Sequence, residues 1–188
     1  MKLQAGDRAE GAAAGNKGAK VKVECICSNI AHLGECPVWD GVRQKLYWTD
    51  ILRKQVWEYC PANDLAQVYW QGEMMVDWLA MARDGGMILC SDKGVYKRAG
   101  DGSLSKRFDI PFRPGERFND ITTDPAGRVF AGTMKGDLKD GVLYRLEKGK
   151  AIAPVIEGIG ISNGMTFSMD ERTFFHTDSM TRRITRYD

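Results

Sequence analysis

The sequence predicts an all-β chain of about four propeller blades, each a four-stranded antiparallel sheet. Three observations carry that prediction. An aspartate recurs at a near-constant interval, each one is followed by the same succession of turns and short strands, and no segment sustains a helical apolar period. The recurring residues are Asp40, Asp84, Asp124 and Asp170, separated by 44, 40 and 46 positions. A period in the forties is that of a four-stranded blade.

Each aspartate closes a short segment: 38–40, 81–84, 122–124 and 168–170. A turn follows, rich in the residues tight turns need: Gly41, Gly85-Gly86, Pro125-Ala126-Gly127, or Glu171-Arg172. An apolar strand comes next, at 46–48, 87–90, 129–131 and 173–175, and Asp50, Asp92 and Asp178 trail three of these four. A third, alternating strand is expected at 56–59, 95–97, 142–145 and 184–187. The first three repeats add a fourth, more polar segment, as at 67–70 and 151–156. The aromatic residues, including five tryptophans, are expected to pack between blades.

Composition narrows the function class. With 43% hydrophobic and 28% charged residues the 188-residue chain is ordinary globular protein, and a net charge of +2 supplies no field for nucleic acid or an anionic membrane. No apolar run approaches the roughly 20 residues that cross a bilayer. Residues 1–20, rich in Ala, Gly and charge, read as a disordered leader or expression remnant, and 21–188 as a partial propeller. Five cysteines without a Cys-x-x-Cys pair suit free thiols in a reducing, cytoplasmic setting. Two histidines are too few for a His-rich metal centre.

The repeat is expected to stop before the fourth strand of its fourth copy. A lone strand at 21–26 precedes the first copy, as where a ring closes through its N-terminus. The chain therefore reads as the N-terminal part of a larger ring, with open edges that favour self-association.

Counting back from each anchor locates polar residues where innermost strands begin. Glu35 lies five before Asp40, Asn119 five before Asp124, and Asn163 seven before Asp170. In the second repeat Leu79 takes the first of these phases and Asp77 the second. Oxygen ligands from separate segments suit a hard cation such as calcium, or a mixed divalent site. Asn119-Asp120 and Asn163-Gly164 are equally ordinary turn chemistry.

Ordered motifs settle more than spacing does. Leu33-Gly34-Glu35-Cys36-Pro37-Val38-Trp39, Arg117-Phe118-Asn119-Asp120, residues 124–128, Ala131-Gly132-Thr133-Met134 and Ile161-Ser162-Asn163-Gly164 resemble the gluconolactonase/regucalcin (senescence marker protein) family over residues 21–188. That resemblance implies a six-bladed propeller, of which these repeats are the first two-thirds, and metal-dependent hydrolysis of a sugar lactone. It implies Glu35 and Asn163 as ligands of one divalent ion (Ca²⁺, Zn²⁺, Mn²⁺ or Mg²⁺). It implies Arg117 and Asn119 as substrate contacts. The family's remaining ligand and general base, an Asp before Gly in the next repeat, has no counterpart here, so no catalytic base is assigned and weak or no activity is expected. Cys36 stands where a small residue is usual, Ile121 replaces a glycine, and residues 135–140 differ from the family's acidic substrate segment. The alternative is a non-catalytic calcium-binding or protein-interaction fragment. A serine nucleophile has no Gly-x-Ser-x-Gly elbow to support it.

Overall fold

The computed structural model describes residues 23–136, 140–150 and 152–188. They form four antiparallel sheets arranged as four propeller blades, without a helix among the described residues. Blade 1 holds β1 (Gly34–Asp40), β2 (Lys45–Asp50), β3 (Gln55–Cys60) and β4 (Leu65–Gln71). Blade 2 holds β5 (Val76–Met81), β6 (Met87–Ser91), β7 (Gly94–Arg98) and β8 (Leu104–Phe108). Blade 3 holds β9 (Arg117–Thr123), β10 (Val129–Met134), β11 (Gly141–Leu146) and β12 (Ala153–Ile159). The last sheet has three strands, β13 (Ser162–Phe167), β14 (Phe174–Asp178) and β15 (Arg183–Tyr187). Every sheet is a simple up-and-down meander, as strands joined by short turns dictate.

The repeat-marking aspartates are turn residues. Asp40 Oδ1 accepts the Val42 and Arg43 N–H groups at 2.9 and 3.1 Å, and Asp124 Oδ1 accepts that of Arg128 at 2.9 Å. Asp84 and Asp170 do the same for Gly86 and Arg172. Asp50, Asp92 and Asp178 have a second shared task. Each takes backbone N–H groups from the segment entering its own blade: His32 and Leu33, Met75, and Gly160 and Ile161, respectively. This tethers the start of the innermost strand to the end of its neighbour. In blade 3 the buried Glu116 does the work from the other side, accepting the Thr133 hydroxyl at 2.6 Å.

Three apolar cores lie between successive blades. Tyr47 and Val56 of blade 1 meet Val76, Leu79, Met87 and Leu89 of blade 2. Cys90 and Val95 meet Phe118, Ile121, Ala131 and Leu146 across the next gap. Phe130, Leu143 and Ile159 meet Phe174 across the third. Burying such side chains is worth about 1.5–3 kcal/mol each, so blade-to-blade packing holds the array together.

Two expectations need correction. The strand expected at 21–26 is not formed over its described part: residues 23–30 belong to no sheet, with Val23 and Ile30 more than four-fifths exposed. A strand needs a ladder partner, and among the described residues none lies beside it. The tryptophans also divide. Trp70 and Trp78 pack against inter-blade cores. Trp48 and Trp57 instead stack on each other at 6.0 Å, and Trp39 is half exposed. Because side chains alternate along a strand, Trp48 and Trp57 occupy the face of blade 1 opposite to Tyr47 and Val56. The leader expected over 1–20 lies outside the described residues.

Candidate functional site

The innermost strands β1, β5, β9 and β13 share an irregularity that the sequence does not announce. Each carries a β-bulge in its pairing with the next strand: between Glu35 and Val38, between Val76 and Trp78, opposite Ala131–Thr133, and between Asn163 and Met165. A bulge breaks the ladder and re-aims side chains. Glu35, Asp77, Asn119 and Asn163 all sit on or beside these bulges. The counting rule that singled them out was therefore reading a structural defect repeated once per blade.

The backbone conformation reinforces the parallel. Among the described residues six non-glycine positions have positive φ, and five of them lie in turns; of these six only Cys36, at φ 51°, lies within a strand. Gly164 holds the same φ of 51° one residue after Asn163, as Cys36 does one residue after Glu35. Glycine adopts this region freely, whereas cysteine bears strain there. Cys36 is steadied by Leu79, whose N–H and carbonyl lie 3.4 and 3.5 Å from its sulfur. Burial pushes this thiol up to about 11, so it stays protonated and unreactive.

The bulges open onto one cavity of about 320 Å³, lined by Glu35, Cys36, Asp77, Arg117, Asn119, Asp120 and Asn163 among others. All four residues expected to serve the site are thus brought together, from blades 1, 3 and 4. Glu35 and Asn163 are exposed to solvent. Asn119 donates through Nδ2 to the Ser162 carbonyl of the next blade at 2.8 Å, leaving Oδ1 to accept from a ligand. That reach depends on Gly132, where an added Cβ would fall 1.9 Å from Ser162 Oγ. Ser162 in turn is buried against His176, Oγ to Nε2 2.8 Å, and burial keeps this imidazole neutral by lowering its pKa. This serine is structural.

Asp77 and Asp120 complete the polar lining, and spacing alone did not assign either. Asp77 is 1% exposed and binds Arg117, Oδ1 to Nη1 2.8 Å. Burial pushes its carboxyl up to about 7 even though the Arg117 guanidinium pulls the other way. Burial also raises Asp120, against the opposing pull of the Ile121, Gly164 and Met165 N–H groups. The available signal for Asp77 was its seven-residue offset from Asp84, which equals that of Asn163 from Asp170 and Arg117 from Asp124. Ile121 does not line this cavity; its side chain is buried between blades 2 and 3.

Oxygen atoms of a carboxylate and carboxamides dominate the candidate ligand set. They fit a hard cation such as Ca²⁺, Mg²⁺ or Mn²⁺ better than zinc, which favours nitrogen and sulfur. Among the described residues no group of three or more His, Cys, Asp or Glu side chains is suited to a metal. An ion held by Glu35 and Asn163 would therefore draw most of its shell from water and ligand.

A four-bladed propeller array with a polar, bulge-lined cavity is the class that fold and site define. Residues 33–188 match the model of the SMP-30/Gluconolactonase/LRE-like region, and the chain belongs to that family. A pentonolactonase of Haloferax volcanii is 36% identical over 162 residues, covering 86% of this chain and 55% of that protein. Regucalcin of Danio rerio is 28% identical, covering 90% and 59%. Among solved structures, a calcium-binding regucalcin from Agrobacterium tumefaciens superposes with a TM-score of 0.78 at 28% identity, covering 86% of this chain and 55% of that one. A luciferin-regenerating enzyme follows with 0.75 at 26%, covering 84% and 56%. The chain thus spans between half and two-thirds of the length of these relatives.

Proposed function

We propose that this chain supplies the ligand-binding portion of a divalent-metal-dependent sugar-lactone hydrolase on a six-bladed propeller plan. The observation that carries the reading is the single cavity on which Glu35, Arg117, Asn119 and Asn163 converge from three blades. Relatives named as a pentonolactonase, a 6-deoxy-6-sulfogluconolactonase and a putative sugar lactone lactonase support the reaction class.

A lactone offers a ring ester and several hydroxyls, and the cavity answers both. Arg117 spends one nitrogen on Asp77 and on its own chain, where Nη1 reaches the Phe118 carbonyl at 2.8 Å. Its remaining donors hold hydroxyl or ring oxygens in a fixed fork. Asn119, pinned by Ser162, accepts a hydroxyl proton through Oδ1. Glu35 and Asn163 hold the divalent ion, which when bound supplies Lewis-acid polarisation of the ester carbonyl. Free thiols at all five cysteines support a cytoplasmic location.

Aldonolactone ring opening, followed as acid release with Ca²⁺, Mn²⁺ or Zn²⁺ added, tests the reading. Turnover is expected to fall at least tenfold with chelator and with Glu35→Gln, whose side chain keeps the shape and loses the charge. Turnover indifferent to both treatments would remove the metal from the account. Calcium-dependent stabilisation with no hydrolysis of any aldonolactone would favour the non-catalytic calcium-binding alternative, for which the calcium-binding Agrobacterium neighbour is the supporting observation.

A further inference from the structure

Asp77 is difficult to explain as packing. It is 1% exposed, on a strand whose Val76 and Leu79 are fully buried in an apolar core. Its Oδ2 is buried and has no hydrogen-bond partner. A carboxylate with half its acceptor capacity empty is costly to bury, and an apolar residue of similar size would serve the fold better. A function must offset that cost.

The geometry supplies one. Asp77 belongs to blade 2 and Arg117 to blade 3, so their 2.8 Å bond crosses between blades inside the cavity wall. It engages Nη1 alone, and that nitrogen also donates to the Phe118 carbonyl. Two acceptors on one nitrogen fix the guanidinium's position and its plane. Nε and Nη2 make no hydrogen bond among the described residues, and their donors remain for a ligand. Arginine side chains carry large rotamer entropy, much of which is thereby lost before a ligand arrives.

We propose that Asp77 is a positioning residue that acts through Arg117, holding its guanidinium in a pre-organised orientation for an oxygen-rich ligand. The lactone reading above supplies only the identity of that ligand. The uncompensated burial, visible in a carboxyl pushed up to about 7, shows that Arg117 alone does not satisfy Asp77. In this account blade 2 contributes to the site indirectly, although it places no residue among the predicted ligands.

Two measurements test the assignment. The first is a double-mutant cycle with Asp77→Asn and Arg117→Lys, read as KM and kcat for D-glucono-1,5-lactone, with melting curves to confirm folding. Asp77→Asn is expected to raise KM about ten- to a hundredfold, leave kcat much less affected, and have little further effect in the Arg117→Lys background. Asp77→Glu is expected to recover part of the loss. Independent, additive effects would show that Asp77 does not act through Arg117. The second needs no turnover: NMR of the Arg117 guanidinium should show rotation about its Cζ–Nη bonds restrained in the wild type and faster in Asp77→Asn. Equal rotation in both overturns the proposal. If the wild type binds no aldonolactone while the guanidinium is restrained, the lactone reading fails and the positioning role stands.

Discussion

The two ends of the innermost strands use similar residues for opposite purposes. At one end Asp40, Asp84 and Asp124 accept turn N–H groups and pair with Arg43, Lys97 and Arg128. Five to seven residues earlier, the Glu35 carboxylate makes no hydrogen bond or ion pair among the described residues, Asp77 keeps an orphaned oxygen, and Asn119 keeps a free acceptor. An aspartate occurs at both ends, so residue type does not distinguish them. For Glu35, Asp77 and Asn119 satisfaction does: where acceptors are filled by the fold the residue holds the fold, and where they are left open the residue serves a ligand, directly or through Arg117. Asn163 is the exception, its Oδ1 accepting the Gly164 N–H at 3.0 Å.

Mutation should separate the two ends. Asp40→Ala or Asp124→Ala removes a buried acceptor for turn amides and a cation, and each is expected to lower stability by about 1–3 kcal/mol. Urea melts would measure this. Glu35→Ala and Asn163→Ala, at exposed positions, should leave the melts essentially unchanged while abolishing ligand response. Comparable destabilisation at both ends would erase the distinction.

A smaller effect concerns pH, with opposite signs at the two ends. Burial alone would raise Asp40, but Arg43 and the Arg43 and Val42 amides bring its carboxyl below the ordinary value. Its contribution, read as wild type minus Asp40→Asn, should therefore be complete above about pH 4 and disappear as pH falls through that lower folded value. Asp77 is raised to about 7, so the folded state binds its proton more tightly than the unfolded chain does. Stability of wild type relative to Asp77→Asn should then decline as pH rises from about 4 to 7 and level off above. Melts across pH 3–9 decide this, and a rising difference for Asp77 would mean that its carboxylate is well satisfied.

The subtlest probe is Gly164→Ala. Positive φ and a Cβ 3.0 Å from Thr177 Oγ1 make the substitution strained, by about 1 kcal/mol. Because Gly164 adjoins Asn163, ligand affinity should suffer more than stability. A loss confined to stability would detach the bulge from the site.

The sequence made the blades legible because turn aspartates and apolar strands are local features, fixed by short-range chemistry. That Glu35, Asn119 and Asn163 would meet at one cavity was also legible, through their phase to those aspartates, and the place of Arg117 beside them through family motifs. The bulges, the strained Cys36 and the Asp77–Arg117 bond were not. The Cys36–Leu79 contact and the Asp77–Arg117 bond join residues 43 and 40 positions apart across a blade interface, and nothing local to Asp77 shows that Arg117 will lie beside it. The bulges lie within single blades, at register shifts that no local composition marks. Over residues 23–26 the expected strand failed for a related reason: its β-rich composition was local, while the partner it required was not.

A calcium titration followed by backbone NMR tests the central claim most directly. The account predicts that amide shifts at Glu35, Cys36, Asn119, Asn163 and Gly164 move together with one affinity, and that Glu35→Gln suppresses them. Shifts confined to the turns at Asp40, Asp84, Asp124 and Asp170, or none at the bulges, would contradict it.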